Sequence, residues 1–364
     1  MRIGLIASPH LPVPPPGYGG TERVIDNLAV GLAERGHAVT VFARSSPVAQ
    51  SPSRPVAQSP SRPVAQSPSR PVAQSPLRVD LSLPTSRTRD WAYDFVHAAK
   101  VLDLLDATEP FDLVHNHSPA MIPLLGRVRA PQLTTVHGDT RRAPAEHIYR
   151  CYPSGPYVAL SSSQQVRGLT GLNWIDRVPP GVDQSVYRPA ADAERGDYLL
   201  HLGSLGRRKG TLDAIHLAKA VRRPLVVIGS WDPRDLEYCE QRLLPHLDDP
   251  NITFLGERGD QEKAQWLRGA AALVHPLAWD EPLGRAIVEA LASGIPVLAL
   301  DRGAARELID HGRTGFLGTH WTDLIEPART AERFSPEECR SSVAGFTVDA
   351  MVEAYLEVYE RVLK

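Results

Sequence analysis

The sequence predicts an α/β protein built from two doubly wound parallel-sheet units. Three observations predict it. A strand–helix–strand unit opens the chain between Arg2 and Ala43. A fresh strand begins at Tyr198, after a polar and helix-poor stretch from Ala190 to Asp197 that reads as a linker. A later strand, Ala272–Pro276, is joined to the next, Pro296–Leu300, through a helix punctuated at both ends. Strand, helix, strand in succession favours parallel pairing with a right-handed crossover. A length of 364 residues suits two domains of ordinary size. The expected boundaries are 1–189 and 190–346, with a final segment 347–364.

In the first half, Arg2 to Ser8 reads as a buried strand and is too short for a signal peptide. A proline-rich loop then leads into Gly17-Tyr18-Gly19-Gly20. A helix is expected from Thr21, a good capping residue, with Val24, Leu28 and Leu32 on one face. Gly36 stops it, and His37–Ala43 is the second strand. The glycine loop fails as a nicotinamide fingerprint: a Gly-x-Gly-x-x-Gly pattern from Gly17 places Glu22 at the last glycine, and Arg44 follows the strand where an acid is needed.

Residues 47–78 hold four copies of an octapeptide, Pro-Val-Ala-Gln-Ser-Pro-Ser-Arg, the last with Leu77 in place of serine. With almost no large apolar side chain, this segment is expected to be an extended or disordered loop. It is either a repeat expansion tolerated in a surface loop, or a flap on the ligand side or a partner contact. Trp91, Phe95, Ala99, Leu102 and Leu105 then suggest a helix over 89–107. Strands follow at 111–117, 132–139 and 157–161, whose carboxyl ends carry His117 and His137. In such sheets ligands sit at those ends.

In the second half, the strand Tyr198–Gly203 runs into Ser204-Leu205-Gly206-Arg207-Arg208-Lys209-Gly210 and a helix from Thr211. Three consecutive cations in a glycine-rich turn suit a diphosphate, lysine as a point charge and arginine as a fork. Further strands are expected at 225–229 and 251–256.

The helix after the 272–276 strand is the centre of the reading. Pro282 suits a first turn, Leu283, Ile287, Ala290 and Leu291 form its apolar stripe, and Gly294 with Pro296 ends it. A helix N-terminus is a ready anion seat, and Gly284 lets a ligand approach the backbone. Glu281 and Glu289 are eight positions apart, roughly 12 Å along a continuous helix. Ionised carboxylates only accept hydrogen bonds, so sugar hydroxyls are their natural partners. A phosphate held between two hydroxyl-rich groups describes a nucleotide sugar. The last segment, from Thr347, is an amphipathic helix.

A net charge of −2 offers no electrostatic case for nucleic acid. No apolar run approaches the roughly 20 residues of a membrane helix, so no integral membrane segment is expected. Cys151, Cys239 and Cys339 are odd in number and in no metal-like spacing, which suits free thiols in a reducing cytoplasm. No Asp-x-Asp motif occurs, so no metal ligand set is expected and the diphosphate charge must be met by cations and helix N–H groups.

Glu281 and Glu289, followed by Ala290-Leu291-Ala292-Ser293-Gly294-Ile295-Pro296-Val297, resemble the signature of retaining glycosyltransferase family 4. Val178-Pro179-Pro180-Gly181-Val182-Asp183 resembles the same family's hinge-proximal motif, and His137 its Thr-x-His-Asp histidine, with Gly138 displacing Asp139. The resemblance implies the GT-B fold: two Rossmann-like domains facing a cleft, with the C-terminal helix crossing back to the first. It implies Lys209 as the cation for the leaving phosphate, Glu281 on sugar hydroxyls, Glu289 on the ribose and His137 on the sugar from the opposite wall. Gly19 and Gly20 face the donor phosphates and the acceptor. Gly203, Leu283, Gly284 and Ala286 belong to the phosphate seat, and Gly256, Glu257 and Arg258 border the base. Two positions depart from the family: Ser204 stands where arginine is usual, and Arg285 where an apolar residue is usual. Either Arg207 or Arg208 replaces the missing cation, or the seat has one fewer.

The resemblance further implies retention at the anomeric carbon and same-face attack, the leaving phosphate oxygen taking the acceptor's proton. The expected donor is a UDP-sugar with no other cofactor, GDP being an alternative carrier. The expected acceptor is a soluble small molecule, since no basic amphipathic anchor is present. The Ala-, Arg- and Pro-rich composition makes a bacterial secondary metabolite or antibiotic precursor the first expectation. A lipid or polysaccharide acceptor, a nucleotide-sugar epimerase of the same fold and a binding-only adaptor are the alternatives. The sequence is silent on oligomeric state.

Overall fold

The computed structural model describes residues 1–17, 19–44, 75–81, 91–189 and 196–364. The first sheet contains β1 (Arg2–Ile6), β2 (Ala38–Ala43), β3 (Leu77–Asp80), β4 (Leu113–Asn116), β5 (Gln132–Thr135), β6 (Tyr157–Ala159) and β7 (Trp174–Arg177). Its helices are α1 (Gly20–Glu34), α2 (Trp91–Ala107), α3 (Ala145–Cys151) and α4 (Ser162–Arg167). The second sheet contains β8 (Leu199–Leu202), β9 (Leu225–Ile228), β10 (Ile252–Gly256), β11 (Ala272–His275), β12 (Val297–Leu300) and β13 (Gly315–Gly318). Around it lie α5 (Thr211–Val221), α6 (Leu236–Tyr238), α7 (Asp260–Gly269), α8 (Arg285–Ala292), α9 (Ala305–Leu308), α10 (Ile325–Arg329) and α11 (Pro336–Ser342). The chain ends in α12 (Val348–Leu363).

Both sheets are wholly parallel, in the orders β3-β2-β1-β4-β5-β6-β7 and β10-β9-β8-β11-β12-β13. Each order reverses once, between β1 and β4 and between β8 and β11, and such switch points open a crevice at the strands' carboxyl ends. Every residue of β4, β8, β9, β11 and β12 is buried, because helices cover both faces of a parallel sheet. That is why these strands are mostly apolar, interrupted only by the buried His115, Asn116, His201 and His275, each large apolar side chain contributing about 1.5–3 kcal/mol on burial.

The final helix returns to the first sheet. Met351, Val352, Tyr355, Val358 and Tyr359 are buried in one core with Ile3, Leu28 and Leu133. Its start is fastened to the 178–183 turn, where Val182 bridges Thr347.

The structure corrects several expectations. The α1 helix starts at Gly20 with Gly19 as its N-cap, so Thr21 lies inside it and does not cap. The α8 helix starts at Arg285, leaving Pro282 and Leu283 in the preceding loop. Gly284 is the N-cap at φ 90, ψ 66, a left-handed conformation that turns the chain into the helix and favours glycine. Glu281 is therefore on a loop, and the 12 Å helical spacing to Glu289 does not apply. The far end is as expected: Gly294 N–H donates to Leu291 O at 2.9 Å and Ile295 N–H to Ala290 O at 2.9 Å, the two bonds of a Schellman motif. The end of the octapeptide segment joins the sheet edge, since Leu77 and Arg78 begin β3 and pair with Thr40 and Val41. The rest of the repeat falls on 45–74, outside the described residues, as does 190–195 of the expected linker.

Candidate functional site

A cleft lies between the two sheets, at their switch points. Its walls are loop ends and helix starts. From the first half come Gly17, Gly19, Gly20 and Arg23, and from the second Gly203, Lys209, Glu281, Arg285, Ala286 and Glu289. Two helix N-termini therefore open on one space from opposite sides, α1 of 15 residues and α8 of 8. The N–H groups of Arg285 and Ala286 precede the first bonded turn, in which Ile287 N–H donates to Gly284 O at 2.9 Å. Both ends favour negative charge in the gap.

Lys209 and Glu281 form the central pair. Lys209 Nζ donates to Glu281 Oε1, and His275 Nε2 lies 3.2 Å from Glu281 Oε2. Burial alone would push the Glu281 carboxyl up, but Lys209 and His275 outweigh it and hold it down at about 2. Burial lowers His275 despite its carboxylate neighbour, so the ring is neutral and donates its Nε2–H. Its Nδ1 is then an unprotonated acceptor, consistent with having no partner there. Behind Lys209, His201 donates from Nδ1 to Val274 O at 3.0 Å and accepts at Nε2 from Thr211 Oγ1 at 3.2 Å, which fixes the root of the cation loop. The Glu281 loop is braced by Ala304 N–H donating to Glu281 O at 3.1 Å and Gly303 N–H to Asp280 Oδ1 at 3.0 Å.

Glu289 is 5% exposed and takes Arg285 at 3.0 Å and Lys263 at 3.6 Å. Lys263 also holds Asp260 at 2.8 Å, and Asp260 reaches across the cleft to Arg23 at 2.9 Å. Burial raises the Asp260 carboxyl, but Lys263 and Arg23 more than offset it and the net direction is down. Arg285 lies within 3.5 Å of Gly20 O, a second bond across the cleft. Further out, Asp280 takes Arg141 at 3.2 Å and Arg167 at 3.3 Å, and Glu307 accepts from Ser162 N–H at 3.0 Å. The two halves are thus drawn together around a cavity that carries both signs of charge.

On the first-half side, His137 at the end of β5 contacts His117 at the end of β4, Nε2 to Nδ1 at 2.9 Å. Burial drives both rings neutral, His137 to about 4 and His117 further down with added repulsion from its histidine neighbours. His115 lies 4.0 Å from His117 ring to ring, accepts or donates at Tyr359 Oη (2.8 Å) and Thr135 Oγ1 (2.7 Å), and so ties α12 to the strand ends.

The structure brings together most of the expected site residues. Gly19, Gly20, Gly203, Lys209, Glu257, Arg258, Glu281, Arg285, Ala286 and Glu289 line the cleft. Others are placed elsewhere. Arg207 is drawn outward by Asp235 and lies over Tyr238 at 4.6 Å, while Arg208 stacks on Trp279 at 3.8 Å. Neither lines the cleft, so Arg285 from α8 and Arg23 from α1 bring guanidinium charge into it instead. Ser204 is 8% exposed and also lies off the lining; Leu283 is 5% exposed, packs into the core of the second sheet and lies off the lining too. Gly256, Gly284 and His137 stand outside the lining as well. Missed in the sequence were Arg23, Asp260, Lys263 and His275. Arg23 carried a signal, three residues into a helix that opens from the glycine loop. Among the described residues no cluster of three or more His, Cys, Asp or Glu is arranged to hold a metal ion.

Comparison with known proteins agrees with this geometry. A family model described as Glycosyltransferase Family 4 matches residues 18–185, and one described as Glycosyl transferases group 1 matches residues 196–331. The chain is 29% identical to a phosphatidyl-myo-inositol mannosyltransferase of Mycobacterium tuberculosis over 342 residues, covering 87% of this chain and 82% of the relative. It is 26% identical to a D-inositol 3-phosphate glycosyltransferase of Pseudarthrobacter chlorophenolicus, covering 99% and 96%. Among solved structures it is similar to AviGT4, a glycosyltransferase involved in avilamycin A biosynthesis, with TM-score 0.69, 24% identity and coverage of 100% and 98%. It is also similar to Anabaena HepE in complex with UDP and glucose, with TM-score 0.74, 18% identity and coverage of 99% and 99%. These likenesses and the two facing parallel sheets agree: the chain is a glycosyltransferase of GT-B fold and belongs to glycosyltransferase family 4.

Proposed function

We propose that this glycosyltransferase moves a sugar, with retention at the anomeric carbon, from a UDP-sugar to an acceptor hydroxyl. The carrying observation is the anion seat between the α1 and α8 N-termini, flanked by Glu281 paired to Lys209 and by Glu289 paired to Arg285. The diphosphate lies in that gap, with Lys209, Arg285 and the free N–H groups of Arg285 and Ala286 as its donors. Gly19 and Gly20 close over it from the first half. Glu281 accepts from the sugar hydroxyls and Glu289 from the ribose, with Gly256, Glu257 and Arg258 along the base. UDP is the proposed carrier because HepE, of the same fold, is known in complex with UDP and glucose.

The chemistry follows from which groups are already occupied. Glu281, held ionised by two donors, is a weak nucleophile and a weaker base. Same-face displacement needs neither role. The bond from the anomeric carbon to the phosphate oxygen breaks, the bond to the acceptor oxygen forms on the same face, and the acceptor's proton passes to the departing phosphate oxygen. Lys209 and the helix N–H groups meet the charge that develops there, a preorganised arrangement. His137, neutral and braced by His117, lies off the cleft lining and is proposed to meet the sugar from the other wall. On this reading no metal is required, and closure of the domains over the donor would exclude water that would hydrolyse it.

The donor is assigned to residues 190–346 and the acceptor to 1–189. Among the described residues no helix is long and apolar enough to cross a membrane. We take the acceptor as a small soluble molecule in the cytoplasm, a secondary metabolite or antibiotic precursor being the first class to screen. A second reading, an inositol-bearing or lipid-linked acceptor, is favoured by the relatives named for inositol phosphate and phosphatidyl-myo-inositol. Titration with UDP, GDP, ADP and dTDP under thermal melting tests the donor. Selective stabilisation by UDP is expected, and a chain whose melting none of them raises refutes the reading.

A further inference from the structure

Asp280 immediately precedes Glu281, and its side chain is held by the other half of the molecule. Its Oδ2 accepts from Arg141 Nη2 at 3.2 Å and its Oδ1 from Arg167 Nη1 at 3.3 Å, both guanidiniums belonging to the first half. The same Oδ1 accepts from Gly303 N–H at 3.0 Å. Gly303 and Ala304 lie against the Glu281 backbone. Ala304 N–H donates to Glu281 O at 3.1 Å, and a Cβ on Gly303, where φ is +55, would stand 2.3 Å from that oxygen. Glycine is what lets the two backbones approach so closely. Ser163 of α4 donates from Oγ to Gly303 O at 2.7 Å, so the first half holds this turn at a second point. Arg141 also reaches back into its own half. Its backbone N–H and its Nε donate to Asp139 Oδ1 at 3.0 and 3.1 Å. Asp139 is the acid that Gly138 separates from His137, and here it holds a guanidinium. One side chain thus joins the loop that follows His137 to the loop that carries Glu281.

We propose that Asp280 is a positioning residue for transfer: gripped by Arg141 and Arg167 across the cleft, it sets the Glu281 loop against the His137 loop, so that the two sugar-facing walls are in register only when the halves are closed. The inference rests on the reading of Glu281 as the sugar-binding carboxylate. Asp280 does not line the cleft and acts through its neighbour. The side chains of Arg141 and Arg167 are 42% and 48% exposed, so each pair is weak on its own. A latch of that strength holds the halves together and still releases them within a turnover.

The test uses the full chain with spin labels on Cys151, an exposed thiol of the first half, and on Glu326→Cys, exposed in the second; Cys239 and Cys339 are buried. Asp280→Asn keeps an oxygen for Gly303 N–H and removes the charge that holds both arginines. In the ligand-free chain it should shift the ratio of short to long inter-label distances about threefold to tenfold, and Arg141→Met about twofold to threefold. The second readout is UDP release from UDP-glucose, UDP-galactose and UDP-N-acetylglucosamine, with water in the acceptor's place. Asp280→Asn should lower kcat about threefold to tenfold with KM for the donor within about twofold, because Lys209, Arg285 and the α8 N–H groups all belong to the second half. The double variant with Arg141→Met should be no slower than Asp280→Asn alone, since both changes break one connection. An unchanged distance overturns the proposal, as do additive losses, a kcat that is unchanged or raised, or a loss of UDP affinity that would return Asp280 to the donor seat. A chain that binds neither UDP nor any of the three sugars strikes the donor reading alone, and the ligand-free distance still decides whether Asp280 holds the halves.

Discussion

Replacing Glu281 with glutamine tests the centre of the site without changing its shape. The native carboxylate satisfies Lys209 and His275, and its side chain is 16% exposed. A carboxyl that ordinarily titrates at 4.5 is held at about 2, which corresponds to about 3 kcal/mol favouring the ionised, folded form. Deleting one member of a buried pair independently costs about 3–5 kcal/mol, because the other charge is left uncompensated. Glu281→Gln should therefore destabilise the chain by about 3 kcal/mol at pH 7, read as a melting temperature roughly 6–12 °C lower. The pH dependence has a defined sign. The folded carboxyl is depressed, so its contribution is complete above pH 4.5 and is lost as pH falls towards 2. The gap between wild type and variant should stay level from pH 5 to 8 and close on acidification below 4.5. Differential scanning calorimetry across that range is the assay. A gap under about 1 kcal/mol at neutral pH, or one that widens in acid, refutes the account of this pair. The same variant should lose transfer by about a hundredfold or more; full transfer would remove Glu281 from the sugar site.

Lys209→Met should weaken UDP binding about tenfold to a hundredfold, the loss of one charge-assisted contact, and equal affinity in a titration would remove Lys209 from the phosphate seat. Gly210→Ala should destabilise by more than about 1 kcal/mol, because φ is +67 and the added Cβ would stand 1.9 Å from Pro276 O; unchanged chemical denaturation would contradict that geometry. Tyr359→Phe should cost about 1–3 kcal/mol by leaving His115 Nδ1 buried without its 2.8 Å partner, and hydrogen exchange of α12 should quicken. Chelation by EDTA should leave the transfer rate unchanged if, as proposed, the diphosphate charge is met by the protein; a rate restored only by a divalent ion would show otherwise.

Much of this fold could be read from the chain because parallel strands covered on both faces must be mostly apolar. Leu199–Leu202, Leu225–Ile228 and Ala272–His275 announce themselves in that way. β7, Trp174–Arg177, is only partly buried at an edge, and β13, Gly315–Gly318, is short and half glycine; neither carries that signal. The α8 start was misplaced for a related reason. Pro282 is compatible with a first turn and with a loop, and the left-handed Gly284 decided for the loop. Glu281, Glu289 and Lys209, singled out by local motifs, do line one cleft, although the helical spacing expected between the two glutamates does not hold. Arg23, Asp260 and Lys263 were not, because they form a site only with residues far away in sequence.

By itself the sequence determined the two α/β halves, the glycines at the helix starts and the types of charge available to the cleft. These depend on local sterics and on apolar periodicity, which a linear pattern carries. Only the tertiary structure decided which charges oppose one another: that Arg285 and Arg23 enter the cleft while Arg207 turns to Asp235 and Arg208 to Trp279. Coulomb attraction and desolvation act over a few ångströms in space. Whether a side chain lies within that range is set by strand order and by the closure of one sheet on the other.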